Sequence, residues 1–436
     1  MLYLLLESIF IYGNLDDSTE LLVYTSSAFM HIIKQSHLFN DKKIKFEIND
    51  TFDNIDKACK ARLDIFDFGS IKKYNKILYL DTDILIKDNI DKVFNACIED
   101  VLYTLEEGEI DNNADYWGKT LFGDEINHFA DKTAFTSGIL LFNNCERIKD
   151  LFQKIKEDID IRPHNFSCID QPYIVYNAFK YNLYNNKSLK TLAVNNDNNI
   201  DSNKVIHHFP GGPGIYVRKI TEMTLFLNGI KDKTITENIL KAKIYIDEHL
   251  IPIIKNCGES LEGNIFMLHH QTTYTDVFLN KAKNISNLVL NKNIEKVMEI
   301  GFNSGFSTLL MLLSNPNICI TCVDLGEHTY TLPCYEKIKE TFCERINIKL
   351  GDSTKTLPYI TDTFELIHID GGHSTEVAES DIIHSYRLSK QGTIMIMDDY
   401  DFPNLKTLWN DCILKYDLKK MNIYIYNSPH HDVKYV

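Results

Sequence analysis

The sequence predicts an α/β protein made of two consecutive domains. Its 436 residues are 44% hydrophobic and 25% charged, a length and composition that allow two separately buried cores. Short apolar runs that end in turns recur in both halves, and helical patterns lie between them. Strands that alternate with helices indicate a parallel sheet covered by helices on both faces.

Composition limits the classes of partner and compartment. The formal net charge of -15 argues against a nucleic-acid partner, because a surface that follows phosphates is usually basic. The ten cysteines contain no CxxC pair and no zinc-site spacing, which predicts reduced thiols in a cytoplasmic protein. No apolar stretch is long enough for a membrane span. The oligomeric state is not predictable from these features.

The first half opens on an apolar segment, MLYLLLESIFIY, that carries Glu7 and is too short to cross a bilayer. We expect a buried helix there. Strands are predicted over residues 21–25 and 76–80. The second strand runs directly into Asp81 and Asp83, whose carboxylates would emerge at a sheet edge and share a divalent metal with a diphosphate.

One block before the Asp-x-Asp and three blocks after it complete a series that resembles the glycogenin-like glycosyltransferases of family eight, which have the GT-A fold and retain the donor's stereochemistry. The blocks are ARLDIF with Arg62, FTSGILLFNN with Ser137 and Gly138, CIDQPYI with Asp170 and Gln171, and HHFPG with His208 and Gly211. The resemblance covers residues 4–214.

The resemblance implies a role for each of these positions. Asp81, Asp83 and His208 would bind Mn²⁺ or Mg²⁺, with His207 as the alternative ligand. Arg62 would lie near the nucleotide. Ser137, Gly138, Asp170, Gln171 and Gly211 would surround the donor sugar and the acceptor.

Two departures from the family pattern bear on activity. The family continues to Lys-Pro-Trp, whereas this chain has residues 212–215, GPGI, so Arg218 or Lys219 would have to contact the leaving diphosphate. The family also begins with a strand that holds the nucleotide base, and that first strand is not found before the opening helix. Either the sequence starts late or the base pocket is incomplete.

The two domains are expected to meet within residues 217–262. A helix is predicted over residues 236–254, with a hinge before it at residues 228–233, NGIKDK. We therefore predict a first domain over residues 1–222, a helical linker over 223–257 and a second domain over 258–436.

In the second half, strands are predicted over residues 296–302, 318–325, 364–370 and 393–398, with helices over 304–313 and 375–388. The first strand leads into a glycine turn, EIGFNSG, in which glycines leave room for a ligand to approach the backbone. Asp324 ends the next strand, where a carboxylate can accept both hydroxyls of a ribose.

These blocks resemble the class I S-adenosylmethionine-dependent methyltransferases, a Rossmann-like fold. The resemblance implies S-adenosylmethionine as cofactor. The predicted cofactor-binding residues are Glu299, Gly301, Asn303, Gly305, Asp324, Asp352 and Ser353, the last two at the adenine edge.

Three carboxylates, Asp370, Asp398 and Asp399, fall at strand ends of the second half. Carboxylates that converge without basic partners repel one another, so a hard cation such as Mg²⁺ is expected between them. The metal would lower the pKa of a substrate hydroxyl. His373 is then placed to remove the proton, and Asp370 is the alternative base.

IDGGHSTEVAESDI together with GTIMIMDDYDFP resembles the metal-dependent sugar O-methyltransferases of macrolide and aminocoumarin sugars, over residues 294–401. In that family the matching carboxylates bind Mg²⁺. The two resemblances predict a bifunctional enzyme with a nucleotide-sugar donor and a glycan acceptor, which it also O-methylates. The alternative is a methyltransferase whose degenerate glycosyltransferase domain only binds substrate.

Overall fold

The computed structural model describes residues 1–39, 42–51, 55–211, 215–421 and 423–436. The chain folds as two compact units. The first contains Met1–Ile32 and Asn40–Gly229, and the second contains Ile33–Phe39 and Ile230–Val436. Among the described residues, no helix has both the length and the apolar character needed to cross a membrane.

The first nine strands belong to the first unit. Their bounds are β1 Leu21–Thr25, β2 Ile44–Ile48, β3 Lys76–Leu80, β4 Ile84–Ile86, β5 Leu102–Glu109, β6 Thr133–Asn143, β7 Tyr184–Asn185, β8 Ala193–Asn195 and β9 Ile206–His208. The helices up to the unit boundary are α1 Leu2–Tyr12, α2 Ser27–Lys34, α3 Ile55–Lys60, α4 Asp91–Phe94, α5 Lys119–Phe122, α6 Glu146–Ile161, α7 Gln171–Lys180 and α8 Tyr216–Tyr245. The opening helix α1 is buried over most of its length, as its apolar sequence predicts.

Two of the three sheets described in this unit are mixed, which corrects the expectation of a parallel sheet there. One has the order β3-β6-β5-β7, and β6 runs antiparallel to both of its neighbours. Another has the order β4-β9-β8, with β4 antiparallel to β9, while β1 and β2 form a parallel pair. Buried strands are apolar on both faces whichever way they pair, so their sequence does not distinguish the two directions.

The predicted hinge, residues 228–233, contains the boundary between the two units, but its residues are helical because they lie inside α8. Gly229 weakens a helix by about 1 kcal/mol relative to alanine. That cost is offset by the burial of Phe226, Leu227 and Ile230 around it. A π-helical turn, Ile246–Leu250, and helix α9, Ile251–Cys257, continue the same run, so the helix predicted over 236–254 is present but starts earlier.

The second unit contains one seven-stranded sheet. Its strands are β10 Lys296–Ile300, β11 Cys319–Asp324, β12 Ile346–Leu350, β13 Phe364–Ile369, β14 Ser389–Met397, β15 Lys419–Lys420 and β16 Asp432–Tyr435. Its helices after α9 are α10 Leu279–Val289, α11 Phe306–Ser314, α12 Thr331–Phe342, α13 Ser353–Thr356, α14 Thr375–Arg387 and α15 Pro403–Tyr416.

The strand order is β12-β11-β10-β13-β14-β16-β15, and the first five strands are parallel. The chain proceeds outward from β10 to one side through β11 and to the other through β13. Ligands of open α/β sheets bind beyond the carboxyl ends of the strands at such a reversal. The predicted polar residues follow those ends.

Candidate active sites

In the first unit, three predicted metal ligands converge from separate strands. Asp81 follows β3, Asp83 precedes β4 and His208 ends β9, and one ligand atom from each lies within 4.8 Å of the others. Antiparallel pairing of β4 with β9 brings Asp83 next to His208, and Phe209 N donates a hydrogen bond to the carbonyl oxygen of Asp83 at 2.9 Å.

Gly138 allows this convergence. Its carbonyl accepts a hydrogen bond from Asp81 N at 2.9 Å. A Cβ at Gly138 would lie 2.8 Å from His208 Nε2 and 3.1 Å from Asp81 Oδ2. Any larger residue would therefore displace two of the three side chains.

A buried polar network supports the cluster from one side. Arg62 Nε lies 3.0 Å from Asp170 Oδ2, and Nη1 donates to the Ser137 hydroxyl at 3.1 Å and approaches Asp81 Oδ2 at 3.5 Å. Gln171 Oε1 accepts from Ser137 N at 2.9 Å. Residues predicted from three separate blocks thus meet in one network.

Burial and ion pairing have opposing effects on the pKa values of Asp170 and Arg62. Burial raises the pKa of Asp170 to about 6, although Arg62 opposes the shift. Burial alone would lower the pKa of Arg62, but Asp170 and Asp81 raise it above its ordinary value.

Lys219 is the basic residue that contacts Asp83. Its Nζ lies 2.6 Å from Asp83 Oδ2, and both side chains are buried. Arg218 is exposed and pairs with Glu222 at 2.8 Å. Of the two predicted substitutes for the family lysine, Lys219 is therefore the one at the site. Residues 212–214 lie outside the described residues, and Gly211 before them has φ 151° and would touch Ile215 and Lys219 if it carried a Cβ.

The cluster fits a divalent cation. Asp83 Oδ1 is buried and accepts no hydrogen bond from the described residues, while its other oxygen is held by Lys219. His208 Nδ1 is paired with Asn195 Oδ1 at 2.8 Å, which turns Nε2 towards Asp83 at 3.5 Å. Burial alone would raise the pKa of Asp83, but His208 and Lys219 lower it to about 2. His207 lies apart, with Nδ1 3.2 Å from the carbonyl oxygen of Asp197.

In the second unit, close protein contacts require glycine at two positions of the turn after β10. A Cβ at Gly301, where φ is 95°, would lie 1.8 Å from the carbonyl oxygen of Asp370, and one at Gly305 would meet the ring of Phe302 at 2.4 Å. Protein contacts on the Cβ side are thus sufficient to require glycine at both positions. The predicted approach of the cofactor to the backbone of this turn stays a prediction.

Asp324 and Asn303 tie this turn to the next strand. Asp324 Oδ2 accepts from the backbone N–H groups of Phe302 and Asn303 at 2.7 and 2.8 Å. Asn303 Oδ1 accepts from Tyr330 Oη at 2.8 Å. Asp324 is half-buried and retains lone pairs for the predicted ribose contact, which stays a prediction.

The position of Glu299 differs from the cofactor-contacting position that was predicted for it. Its side chain is fully buried, and its oxygens contact Thr308 and His368. A direct side-chain contact with a cofactor does not follow from this position. Asp352 caps α13 by accepting from Thr354 N at 3.0 Å, and Ser353 begins that helix. The predicted contacts of Asp352 and Ser353 with adenine remain predictions.

The three carboxylates of the second unit do converge. One oxygen each of Asp370, Asp398 and Asp399 lies within 4.8 Å of the others. The assumption that they have no basic partner is wrong, because Lys281 Nζ lies 2.6 Å from Asp398 Oδ1 and 3.4 Å from Asp399 Oδ1. The structure therefore does not show a site prepared for Mg²⁺.

His373 and Asp370 line one pocket with Gly371, Gly372 and Asp381. His373 Nε2 lies 3.0 Å from Asp399 Oδ2, and this contact raises the pKa of His373. Burial, with a further contribution from Asp398, raises the pKa of Asp370 well above its ordinary value.

Some site residues were not predicted. Lys281 lies on a helix, where a lysine is usually solvent-exposed. Lys219 was predicted for the leaving diphosphate, but its contact with Asp83 was not. His368 and His431 flank Asp398, with Nε2 of each 3.4 Å from one of its oxygens. His368 follows the pattern of a buried strand, and its polar side chain within LIHID was the available signal.

Family comparisons agree with this division of the chain. Residues 17–212 match the model of glycosyl transferase family 8, and residues 298–400 match the model of a methyltransferase domain. The chain joins a glycosyltransferase domain to a methyltransferase domain. Both resemblances noted in the sequence are thereby confirmed at the level of family.

Solved structures similar to this two-domain transferase include O-methyltransferases. NovP is 16% identical, with a TM-score of 0.31, over 44% of this chain and 98% of that one. CalS11, a TDP-rhamnose 3'-O-methyltransferase of calicheamicin biosynthesis, is 18% identical, with a TM-score of 0.30, over 46% and 93%. TomG from Streptomyces achromogenes, in complex with SAM, is 14% identical, with a TM-score of 0.29, over 35% and 77%. No curated protein matches the chain significantly.

Proposed function

We propose that the glycosyltransferase domain transfers a sugar from a nucleotide donor to a glycan, and that the methyltransferase domain O-methylates a hydroxyl of that glycan. The main support is that Asp81, Asp83 and His208 converge, with Asp83 Oδ1 buried and facing His208 Nε2 at 3.5 Å. Joining the two domains raises the effective concentration of one product at the next centre.

For sugar transfer, Asp81, Asp83 and His208 would hold Mn²⁺ or Mg²⁺. The cation would neutralise the charge of the donor diphosphate. Arg62 holds Ser137 and Asp170 in place, and Lys219 orients Asp83. In the reaction, the bond between the anomeric carbon and the phosphate oxygen breaks, and a bond to the acceptor oxygen forms. The acceptor proton passes to the leaving phosphate, so no protein nucleophile is required.

For methyl transfer, the turn formed by Gly301 and Asn303, with Asp324 beside it, would hold S-adenosylmethionine. The substrate oxygen gains the methyl carbon as the carbon–sulfur bond breaks, and S-adenosylhomocysteine leaves. We assign His373 as the base that accepts the proton of the substrate hydroxyl. Its side chain is exposed beside the pocket, and its imidazole is oriented by Asp399 at 3.0 Å. No step uses the Mg²⁺ that the sequence predicted here.

The ten cysteines are free thiols, which supports a reducing compartment such as the cytoplasm.

The proposal is tested by product analysis. The full chain is incubated with a panel of nucleotide-sugars and oligosaccharides, with and without S-adenosylmethionine, and the glycans are examined by mass spectrometry. The proposal expects a glycan extended by one sugar and, only with S-adenosylmethionine, a methylated glycan. Methylation of proteins or small aromatics, with no methylated glycan, contradicts it.

A further inference from the structure

Lys281 is a buried cation at the centre of the methyltransferase site. Its side chain is 6% exposed, and its Nζ is shared between Asp398 Oδ1 at 2.6 Å and Asp399 Oδ1 at 3.4 Å. The ring centre of Phe278 lies 5.3 Å from the same nitrogen. One cation bridging two carboxylates is the arrangement that a metal ion would otherwise provide.

The helix that carries Lys281 is held firmly in place. Three asparagines of α10 donate to backbone carbonyls of one segment near the C-terminus, which fixes the helix along its whole length. The pairs are Asn280 with Asn427 at 2.7 Å, Asn284 with Tyr426 at 2.9 Å and Asn287 with Tyr424 at 2.9 Å. The ammonium therefore lies between the carboxylates as a consequence of the packing of α10.

A divalent ion and this ammonium exclude each other. Mg²⁺ binds carboxylate oxygens at about 2.0–2.1 Å, so an ion on the same two oxygens would lie against Nζ. A protonated lysine has no lone pair and cannot become a ligand. The oxygen that Lys281 contacts, Asp398 Oδ1, also lies 3.4 Å from His431 Nε2, and the other oxygen lies 3.4 Å from His368 Nε2.

The lysine of the glycosyltransferase centre contacts a single carboxylate among the described residues. Lys219 Nζ lies 2.6 Å from Asp83 Oδ2, and Asp83 Oδ1 lies 3.5 Å from His208 Nε2. A lysine that contacts one oxygen of a single carboxylate orients that carboxylate as a ligand for the ion. A lysine that bridges two carboxylates occupies the position of the ion itself.

We propose that Lys281 replaces the divalent cation, so that the methyltransferase centre works without a metal while the glycosyltransferase centre requires one. Lys281 is a positioning residue that keeps Asp398 and Asp399 together, and Asp399 in turn orients His373. The inference rests on the proposed function for the methyl-transfer reaction, but the number of bound metal ions can be measured without any substrate.

The test counts bound Mn²⁺ by electron paramagnetic resonance in the full chain carrying Asp81→Asn and Asp83→Asn. These two changes remove metal binding at the glycosyltransferase centre. We expect this parent to bind no Mn²⁺ tightly. Adding Lys281→Met, which keeps the apolar stem, should create one Mn²⁺ site per chain, and Asp398→Asn should remove it. Lys283→Ala on the same helix, where Lys283 is partly exposed and lies 3.9 Å from Asp232, should create none.

Two outcomes overturn the proposal: a tight Mn²⁺ site in the parent that Asp398→Asn abolishes, or no gain of a site with Lys281→Met in a protein whose Trp409 fluorescence shows a folded second unit. Lys281→Ala provides a second variant if the methionine does not fold. Failure of the proposed function would appear differently, as absence of methyl transfer in every protein with the metal count unchanged.

Discussion

His368 Nδ1 lies 3.0 Å from Glu299 Oε1, and neither side chain is exposed to solvent. The two residues are direct neighbours across the parallel strands β10 and β13. Burial alone would lower the pKa of His368, but its contacts with Asp398 and Glu299 raise it to about 10. The imidazolium thus connects the two central strands to the carboxylates of the methyltransferase site.

Replacing Glu299 with glutamine should destabilise the second unit. The variant keeps the shape of the side chain but leaves the imidazolium with one carboxylate fewer, and breaking a buried charge pair costs about 3–5 kcal/mol. The free energy of unfolding is measured in urea by the fluorescence of Trp409, in a Trp117→Phe background. Glu327→Gln, at an exposed position, should change it by less than about 0.5 kcal/mol. Equal effects of the two changes would contradict the assignment.

Asp381 should make the stability of the second unit depend on pH. Burial raises its pKa from 3.8 to about 6, so the folded state holds a proton that the unfolded state has already lost. The contribution of Asp381 to stability is therefore fully present below pH 4 and is lost as pH rises through 6, by up to about 3 kcal/mol. Asp381→Asn should stabilise the unit at pH 7.5, and the gain should shrink towards pH 4. A gain that is the same at both pH values would refute this account. Urea unfolding at the two pH values provides the measurement.

Lys219 and Arg218 are adjacent basic residues on one helix, so substitution of Arg218 is a control for substitution of Lys219. Lys219→Ala removes the ammonium that holds Asp83, and loss of such a supporting contact lowers metal affinity or activity about 10–100-fold. We expect a similar loss of affinity for a nucleoside diphosphate in the presence of Mn²⁺, measured by calorimetry. Arg218→Ala removes an exposed ion pair with Glu222 and should have little effect. If Arg218→Ala weakens binding more than Lys219→Ala, Lys219 is not the residue that supports the site.

The sequence was most informative where a buried strand ends in polar residues. The strands over residues 21–25 and 76–80 are present as predicted, and the four strands predicted in the second half are present with shifted ends. Asp81 and Asp370 follow such strands, so their placement at a sheet edge was predictable. The antiparallel pairing of β6 was not, because strand direction depends on distant connections.

The charge that balances Asp398 and Asp399 could not be predicted. Lys281 lies on a helix far along the chain from both, and local sequence does not separate a buried lysine from a solvent-exposed one. Lys219 was predicted as a candidate for the leaving diphosphate, but not as the partner of Asp83. The close contact at Gly301 was not predictable either, since the nearest obstacle to a side chain there is the carbonyl group of Asp370, which follows a neighbouring strand. Both features depend on tertiary contacts.

The central claim is that one chain carries two separate transferase centres, and calorimetric titration tests it most directly. S-adenosylmethionine and a series of nucleoside diphosphates with Mn²⁺ are titrated into the wild-type chain, an Asp83→Ala variant and an Asp324→Ala variant. The account predicts that both ligands bind the wild type, that Asp83→Ala abolishes nucleotide binding alone, and that Asp324→Ala abolishes S-adenosylmethionine binding alone. Binding of S-adenosylmethionine with no binding of any nucleotide would contradict it and leave a methyltransferase with an inactive partner domain.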